Sequence, residues 1–269
     1  MGKFEGILFV SDIDATLFNR EHHVSEENAQ AIEYFKSEGG LFSVASGRMR
    51  DAVGNYLNEL KINAPAILHN GAKIYDFENN VTLYEKSIEE ERKSVIRRVY
   101  ETQPQFGLEI YADEHIYVLR ECFETERLKA KNYDVTYYMP HDVWDKPWTK
   151  VLIIGHEEEL DRFEPIYRKD YDTGYAVRSG KRYLDMVANG VSKGKGVQRI
   201  AEHFGIKREN IYAVGDNMND LEMIQYAGHG FAVKNGVEAL KQASDAVVPS
   251  NDESAIAYII KMIKIGKEI

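Results

Sequence analysis

Two aspartates one residue apart, Asp12 and Asp14 in Ser11-Asp12-Ile13-Asp14-Ala15-Thr16-Leu17, directly follow the apolar run Ile7–Val10. In extended backbone, residues two apart project to the same side, so the two carboxylates can share one small volume. Two such charges persist together only if a cation sits between them or one holds a proton. Either state suits phosphoryl transfer, the first as a metal clamp and the second as an acid for a leaving group. Taken alone, the pair also fits an acidic loop that caps the next segment.

Three further stretches carry matching chemistry. Ala45-Ser46-Gly47-Arg48 sets a hydroxyl and backbone amides at a helix mouth, which is an anion site or a simple capped turn. Gly190-Val191-Ser192-Lys193-Gly194-Lys195-Gly196 is not a P-loop, because three residues rather than four precede Gly-Lys and no Ser or Thr follows. What remains is Lys193 at a helix N-terminus, suited to neutralising a transferring phosphoryl group and equally to a solvated basic turn. Gly215-Asp216-Asn217-Met218-Asn219-Asp220 offers the Asp216 and Asp220 carboxylates to a hard cation, Mg²⁺ rather than zinc, or caps a helix. Each stretch alone is ambiguous. Four of them, each at the end of an expected strand or the mouth of a helix, assemble one phosphoryl-transfer site.

The elements that must position these loops are legible. Ile7–Val10 is a continuous apolar run, as in a strand buried on both faces. Ser25 is an N-cap followed by Glu26 and Glu27, with Ala29, Ile32 and Phe35 at helical spacing and Gly39-Gly40 as the stop. Leu41–Ala45 and Ala66–Leu68 read as strands around a helix over Asp51–Leu60, and His69-Asn70-Gly71 ends the third strand. After about residue 187 the same alternation returns. A helix from near Gly194 ends at Gly205, strands cover Ile211–Val214, Phe231–Val233 and Ala246–Val248, and helices cover Met218–Ala227 and Val237–Ala243. A final amphipathic helix carries Ile256, Ile259, Ile260 and Ile263. This alternation predicts an α/β fold, a Rossmann-like parallel sheet covered on both faces.

The middle reads differently. Longer alternating stretches, Leu108–Leu119 and Val151–Ile154, sit among many tyrosines, including Tyr111, Tyr117, Tyr137, Tyr138 and Tyr183. The expected organisation is a core of residues 1–82 and 188–269 with an inserted α+β cap over 83–187. The tyrosines and the segment His141–Trp148 serve either as the cap's contact surface or as its interior.

Composition narrows the partners. The chain has 269 residues and a formal net charge of −10, which disfavours a nucleic-acid surface but not a small phosphorylated ligand met by a local cation. Its one cysteine, Cys122, has no partner for a disulfide or a Cys-based zinc site, so a reducing compartment fits. Ile7–Val10 is too short for a signal peptide or a membrane span. The expected setting is cytoplasmic, with neither membrane nor nucleic acid as partner. No G-x-G-x-x-G follows Ile7–Val10, which argues against a dinucleotide enzyme.

The four stretches together resemble the motifs of the haloacid dehalogenase superfamily: Asp12–Leu17 as D-x-D-x-T-L, Ser46, Lys193, and Gly215–Asp220 as G-D-x-x-N-D. The Gly-Val-Ser-Lys-Gly version of the third motif, and the long insertion between His69-Asn70-Gly71-Ala72 and it, resemble the Cof-like sugar phosphatases. That resemblance implies a phosphatase of small phosphorylated metabolites. In it, Asp12 is the nucleophile that forms an aspartyl phosphate, and Asp14 is the acid and then the base. Asp12, the Asp14 backbone carbonyl and Asp216 would hold Mg²⁺. Ser46, Gly47 and Lys193 would bind the phosphoryl group, and Asn219 would orient the substrate. Asp220 is expected to fix Lys193 or a metal-bound water, with direct metal contact left open. The acid at Asp14, where the family's ATPases carry Thr, implies hydrolysis or mutase chemistry. A phosphomutase and a non-catalytic phosphate-binding protein are the competing readings. Two departures stand out: Ser11 replaces the common aromatic, and Ala15 takes the usual Gly position. The added methyl at Ala15 is expected to tighten the loop without loss of a step.

Overall fold

Apolar runs from both ends of the chain come together in one sheet, with the middle of the sequence forming another. The computed structural model describes residues 2–129, 133–172 and 174–267. In chain order the first strands are β1 (Leu8–Asp12), β2 (Leu41–Ala45), β3 (Ala66–Leu68), β4 (Lys73–Asp76) and β5 (Val81–Glu85). Then come β6 (Gly107–Ala112), β7 (His115–Arg120), β8 (Val135–Thr136), β9 (Trp148–Ile154), β10 (Ala176–Gly180) and β11 (Tyr183–Val187). The last are β12 (Ile211–Gly215), β13 (His229–Val233) and β14 (Ala246–Val248). The helices are α1 (Glu26–Ser37), α2 (Arg50–Gly54), α3 (Leu57–Leu60), α4 (Glu90–Thr102) and α5 (Glu126–Lys129), followed by α6 (Glu157–Ile166), α7 (Lys193–Phe204), α8 (Leu221–Tyr226), α9 (Glu238–Ala243) and α10 (Ala255–Lys267). The chain separates into two compact units, one of Met1–Arg48, Val53–Tyr84 and Ser192–Ile269, the other of Met49–Ala52 and Glu85–Val191.

The first unit holds an eight-stranded sheet in the order β14-β13-β12-β1-β2-β3-β4-β5. The five pairings from β14 to β3 are parallel, and β4 runs antiparallel to β3. Leu8 and Val10 pack with Val197, Ile200 and Met223 on one face, while Phe9 packs with Phe35, Phe42, Ile256 and Ile259 on the other. Burial on both faces is why this strand reads as an unbroken apolar run. The α/β expectation holds.

Some boundaries differ, each for a local reason. The helix expected over Asp51–Leu60 is broken into α2 and α3, with Gly54 and Asn55, poor helix formers, at the break. Met218–Asp220 is a 3₁₀ turn that leads into α8 rather than the first turn of one long helix. The β4–β5 pair is absent from the sequence reading of this unit. Other signals landed well. Ser25 accepts the Asn28 amide at 3.2 Å, and Gly205 ends α7 in the left-handed conformation.

The second unit has a six-stranded sheet in the order β10-β11-β9-β6-β7-β8, antiparallel except for the β7–β8 pair. The stretch Leu108–Leu119 is a hairpin, β6 and β7, reversed at Asp113 and Glu114 with φ of 54° and 59°. Those residues supply the positive φ a two-residue turn requires without the Asn-Gly signal that would reveal it. Many of the aromatics are interior. Trp148 and Tyr167 are fully buried, Tyr111 and Tyr117 nearly so, while Tyr138 is 67% exposed. Trp148 donates its indole N–H to the Val143 carbonyl at 2.7 Å, which satisfies the one polar atom it buries. Among the described residues, no helix is long and apolar enough to cross a membrane.

Candidate active site

The parallel register brings three of the four loops to one edge of the sheet. Asp12 is the last residue of β1 and lies opposite Ala45, the last of β2. On its other side Ser11 pairs with Val214, next to the end of β12. Ser46 and Asp216 therefore follow their strands at the same edge as Asp12, flanking the point where strand order reverses, the usual ligand position in open α/β sheets.

Lys193, the first residue of α7, reaches into this edge. Its Nζ donates to Asp12 Oδ1 and Asp220 Oδ1, both at 2.6 Å, and none of its surface is exposed. The start of α7 is fixed by Ser192, whose Oγ accepts the Lys195 amide at 3.1 Å and donates to Glu222 at 2.5 Å. Asp220 Oδ2 accepts the amides of Asp216 and Asn217 at 3.0 and 3.1 Å. The loop can wrap this carboxylate only because Gly215 lacks a side chain: a Cβ there would lie 2.4 Å from the Asp220 carboxyl. Asp216 Oδ1 accepts from Thr16 Oγ1 at 3.3 Å, joining the first motif to the fourth.

The electrostatics are those of a site short of positive charge. Burial opposes charge on Lys193, yet Asp12 and Asp220 more than reverse that and raise its pKa above that of free lysine. Burial pushes the Asp12 carboxyl well up, against the pull of Lys193 and with the push of Asp220, Asp216 and Asp14. Asp216 is pushed up to about 7 by burial and then by Asp220, with Lys193 opposing. Asp12 and Asp220 thus share the Lys193 ammonium, with the Asp216 carboxylate close beside them.

Asp14 stands apart from that cluster. Its carboxylate is half exposed and accepts from Arg48 at Nε (2.8 Å) and at a terminal nitrogen (2.5 Å). The Arg48 guanidinium lies 5.6 Å from the Phe18 ring centroid and 5.3 Å from that of Tyr56. The small shared volume expected for Asp12 and Asp14 is divided: each carboxylate has its own cation. The extended backbone that would align them ends at Asp12, the last residue of β1: Ile13 opens a helical-type turn, which runs on through extended Asp14 and left-handed Ala15 at φ 56°. Ser46 is buried, and its Oγ accepts the Arg48 amide at 3.2 Å. Asn219 is also buried and donates to Asn70 Oδ1 at 3.1 Å.

Comparison with known proteins places this arrangement. The family model for haloacid dehalogenase-like hydrolases matches residues 9–260. The chain belongs to that family. Its motifs set it in the Cof-like branch, as a phosphatase of the haloacid dehalogenase type. It is 28% identical to a Bacillus subtilis protein, the 5-amino-6-(5-phospho-D-ribitylamino)uracil phosphatase YwtE, over 95% of this chain and 97% of the relative. A putative phosphatase of Haemophilus influenzae is 26% identical over 93% and 95%. Among solved structures, a haloacid dehalogenase-like hydrolase from Bacteroides thetaiotaomicron aligns with a TM-score of 0.80 at 26% identity, covering 96% of this chain and 99% of that one.

Within this haloacid dehalogenase-like site, the donor set fits a divalent cation. Asp12, Asp216 and Asp220 each offer an oxygen, all within 4.8 Å of one another, and with Lys193 charged the ionised trio carries two surplus negative charges. Hard carboxylate oxygens of this kind suit Mg²⁺. Both Asp220 oxygens are already engaged, one by Lys193 and one by two amides, so this residue is built to hold Lys193 and the loop. Sequence reasoning missed the partners Arg48, Thr16 and Asn70. Arg48 was the detectable one, as the cation inside the second motif.

Proposed function

We propose that this chain is a Mg²⁺-dependent phosphatase of small phosphorylated metabolites, namely sugar or sugar-alcohol phosphates, acting through an aspartyl phosphate on Asp12. The observation that carries the reading is the buried Asp12 carboxylate at the end of β1, 2.6 Å from a lysine that Asp220 holds in place. The substrate class is supported by two B. subtilis relatives, YwtE and the 25% identical YitU, each named as a phosphatase of 5-amino-6-(5-phospho-D-ribitylamino)uracil.

In this reading an Asp12 oxygen attacks phosphorus as the bond to the leaving oxygen breaks. Lys193 and the Ser46 hydroxyl, with the Gly47 backbone, hold the phosphoryl oxygens and neutralise their charge. Asp14 gives its proton to the leaving alkoxide, then takes one from the water that hydrolyses the aspartyl phosphate. Its ion pair with Arg48 must open for the first of these steps. Asn219 orients the substrate. Mg²⁺, when held by Asp12, Asp216 and the Asp14 carbonyl, supplies charge neutralisation and alignment for in-line transfer. The second unit acts as the cap, which shields the reaction from water and contacts the rest of the substrate.

The test is phosphate release from sugar phosphates, the phosphoribitylamino-uracil, nucleotides and p-nitrophenyl phosphate, with and without Mg²⁺, for the parent and Asp12→Asn. Turnover should require Mg²⁺ and fall by about 10³-fold or more in the variant, as expected when a nucleophile is removed. Isomerised product without free phosphate would identify a mutase instead. No release from any compound would end the general-phosphatase reading.

A further inference from the structure

Between β3 and β4, three consecutive residues, His69, Asn70 and Gly71, have positive φ of 48°, 54° and 100°. For residues with a side chain, left-handed backbone costs about 1–2 kcal/mol each. It persists only where surrounding contacts enforce it, and it concentrates at functional sites. Here the contacts are specific. The His69 amide donates to the Arg48 carbonyl at 3.1 Å and the Asn70 amide to the Ser46 carbonyl at 3.0 Å. The turn thereby grips both ends of the Ser46–Arg48 loop through backbone alone. Gly71 packs so closely that a Cβ there would lie 2.1 Å from the carbonyl oxygen of Ser192, the residue before Lys193.

The Asn70 side chain adds the fourth loop. It is 1% exposed, its Oδ1 accepts from Asn219 Nδ2, and its amide flanks Gly47, where a Cβ would lie 3.2 Å from either amide heavy atom. A side-chain amide has two orientations that exchange its donor and acceptor. Accepting from Nδ2 selects one of them for Asn219 and turns its Oδ1 elsewhere.

We infer that Asn70 is a positioning residue. It fixes the orientation of the Asn219 amide and ties it to the Ser46–Gly47 loop, so that substrate-orienting and phosphoryl-binding groups keep one geometry. This inference rests on the roles proposed above for Asn219, Ser46 and Gly47. In this left-handed turn the Asn70 side chain meets Asn219 while its amide holds Ser46.

The test is a double-mutant cycle in the full chain with Mg²⁺, using Asn70→Gly and Asn219→Ala. Glycine keeps the left-handed backbone without strain, so only the amide is lost. Asn70→Gly should lower kcat/KM by roughly 10- to 100-fold, mostly in kcat, the scale of a small misplacement at a reacting centre. In the Asn219→Ala background the same substitution should cost less than about threefold, because coupled residues are not additive. A purely structural role would cost the same in both backgrounds, and that result would overturn the inference, as would Asn70→Gly within about twofold of the parent. If Asn70→Gly does not fold, Asn70→Ser, too short to reach Asn219, runs the same cycle. If the parent hydrolyses nothing, the phosphatase reading has failed on its own. The cycle is then read in the Kd of inorganic phosphate by calorimetry, where additivity, or no phosphate binding at all, overturns the positioning role.

Discussion

Two buried ion clusters, one in each unit, carry similar groups and opposite electrostatics. In the second unit Arg92 pairs with Asp172 at 2.6 Å and with Glu89 at 3.1 Å, and it donates to the Val187 carbonyl at 2.7 Å. Asp172 also accepts from the Tyr167 hydroxyl and the Gly174 amide, both at 2.9 Å. Burial alone would push the Asp172 carboxyl up, but the bonds from Arg92, Gly174 and Tyr167 outweigh it and hold the group below the usual range. In the first unit, among the described residues, Lys193 is the one cation bonded to Asp12 and Asp220, and burial with repulsion from Asp220 lifts Asp12 and Asp216. Burial is common to both. Saturation of the carboxylates separates a cluster that holds a fold from one whose oxygens can take a cation.

The largest test of that contrast is a pair of substitutions with opposite signs. Asp172→Asn leaves the buried Arg92 short of its main counter-charge and should cost about 3 kcal/mol, the scale for breaking a buried pair. Asp216→Asn removes a charge the site holds at a penalty. At pH 8, without metal, it should raise stability by about 1–3 kcal/mol, since each tenfold change in proton affinity is worth roughly 1.4 kcal/mol. Urea unfolding of both variants decides the matter. A loss of stability on Asp216→Asn would mean that its neighbours already satisfy it. The same variant should abolish the Mg²⁺ dependence of turnover along with the turnover.

A smaller effect is the pH dependence of metal stabilisation. A carboxyl whose folded pKa is raised favours the fold at low pH and loses that contribution as pH rises through its folded value, here about 7 for Asp216. Without metal, this group makes the protein progressively less stable as pH rises from about 4 to 7, and the loss persists above that. Bound Mg²⁺ offsets the charge, so the rise in Tm on adding it should be only slight at pH 5.5 and several degrees at pH 8. Thermal scans at the two values with the parent and Asp216→Asn check this. An equal shift at both values, or one that survives the substitution, would remove Asp216 from the metal site. Asp172 behaves oppositely: its contribution is present above about pH 4 and lost as pH falls through its lowered pKa.

These differences were only partly visible in the chain. The strands Leu41–Ala45, Ala66–Leu68 and Ala246–Val248 fall at their expected bounds because each is a short apolar run closed by a turn residue. The loops carrying Asp12, Ser46, Lys193 and Asp216 were legible because each follows such a run or opens a helix. Hidden from a one-dimensional reading were the partners that lie far along the chain. Arg48 meets Asp14 across 34 residues, Lys193 meets Asp12 across 181, and Asn219 meets Asn70 across 149. Only tertiary register decides those pairings. The hairpin at Asp113–Glu114 was hidden for a different reason, since its left-handed residues are not the glycine or asparagine that usually announce such a turn.

The smallest expected effect concerns Ala15, where the sequence suggests only a tighter loop. Its φ of 56° and ψ of 11° show that the matter is backbone conformation rather than space. An L-residue there pays about 1–2 kcal/mol against glycine, while glycine gains more entropy in the unfolded chain, by about 0.4–1 kcal/mol. Ala15→Gly should therefore stabilise the protein by no more than about 1.6 kcal/mol in urea unfolding. The turn is also tied down from outside, because the Ala15 carbonyl accepts from Asn235 Nδ2 at 2.7 Å and Thr16 is bonded to Asp216. With its own carbonyl and the next residue anchored, the turn should keep its geometry on substitution, and turnover should stay within about tenfold of the parent. A larger loss would show that the methyl at Ala15 helps to keep Asp14 on Arg48 and away from the Asp12 cluster, so that separating the two carboxylates depends on this one strained residue.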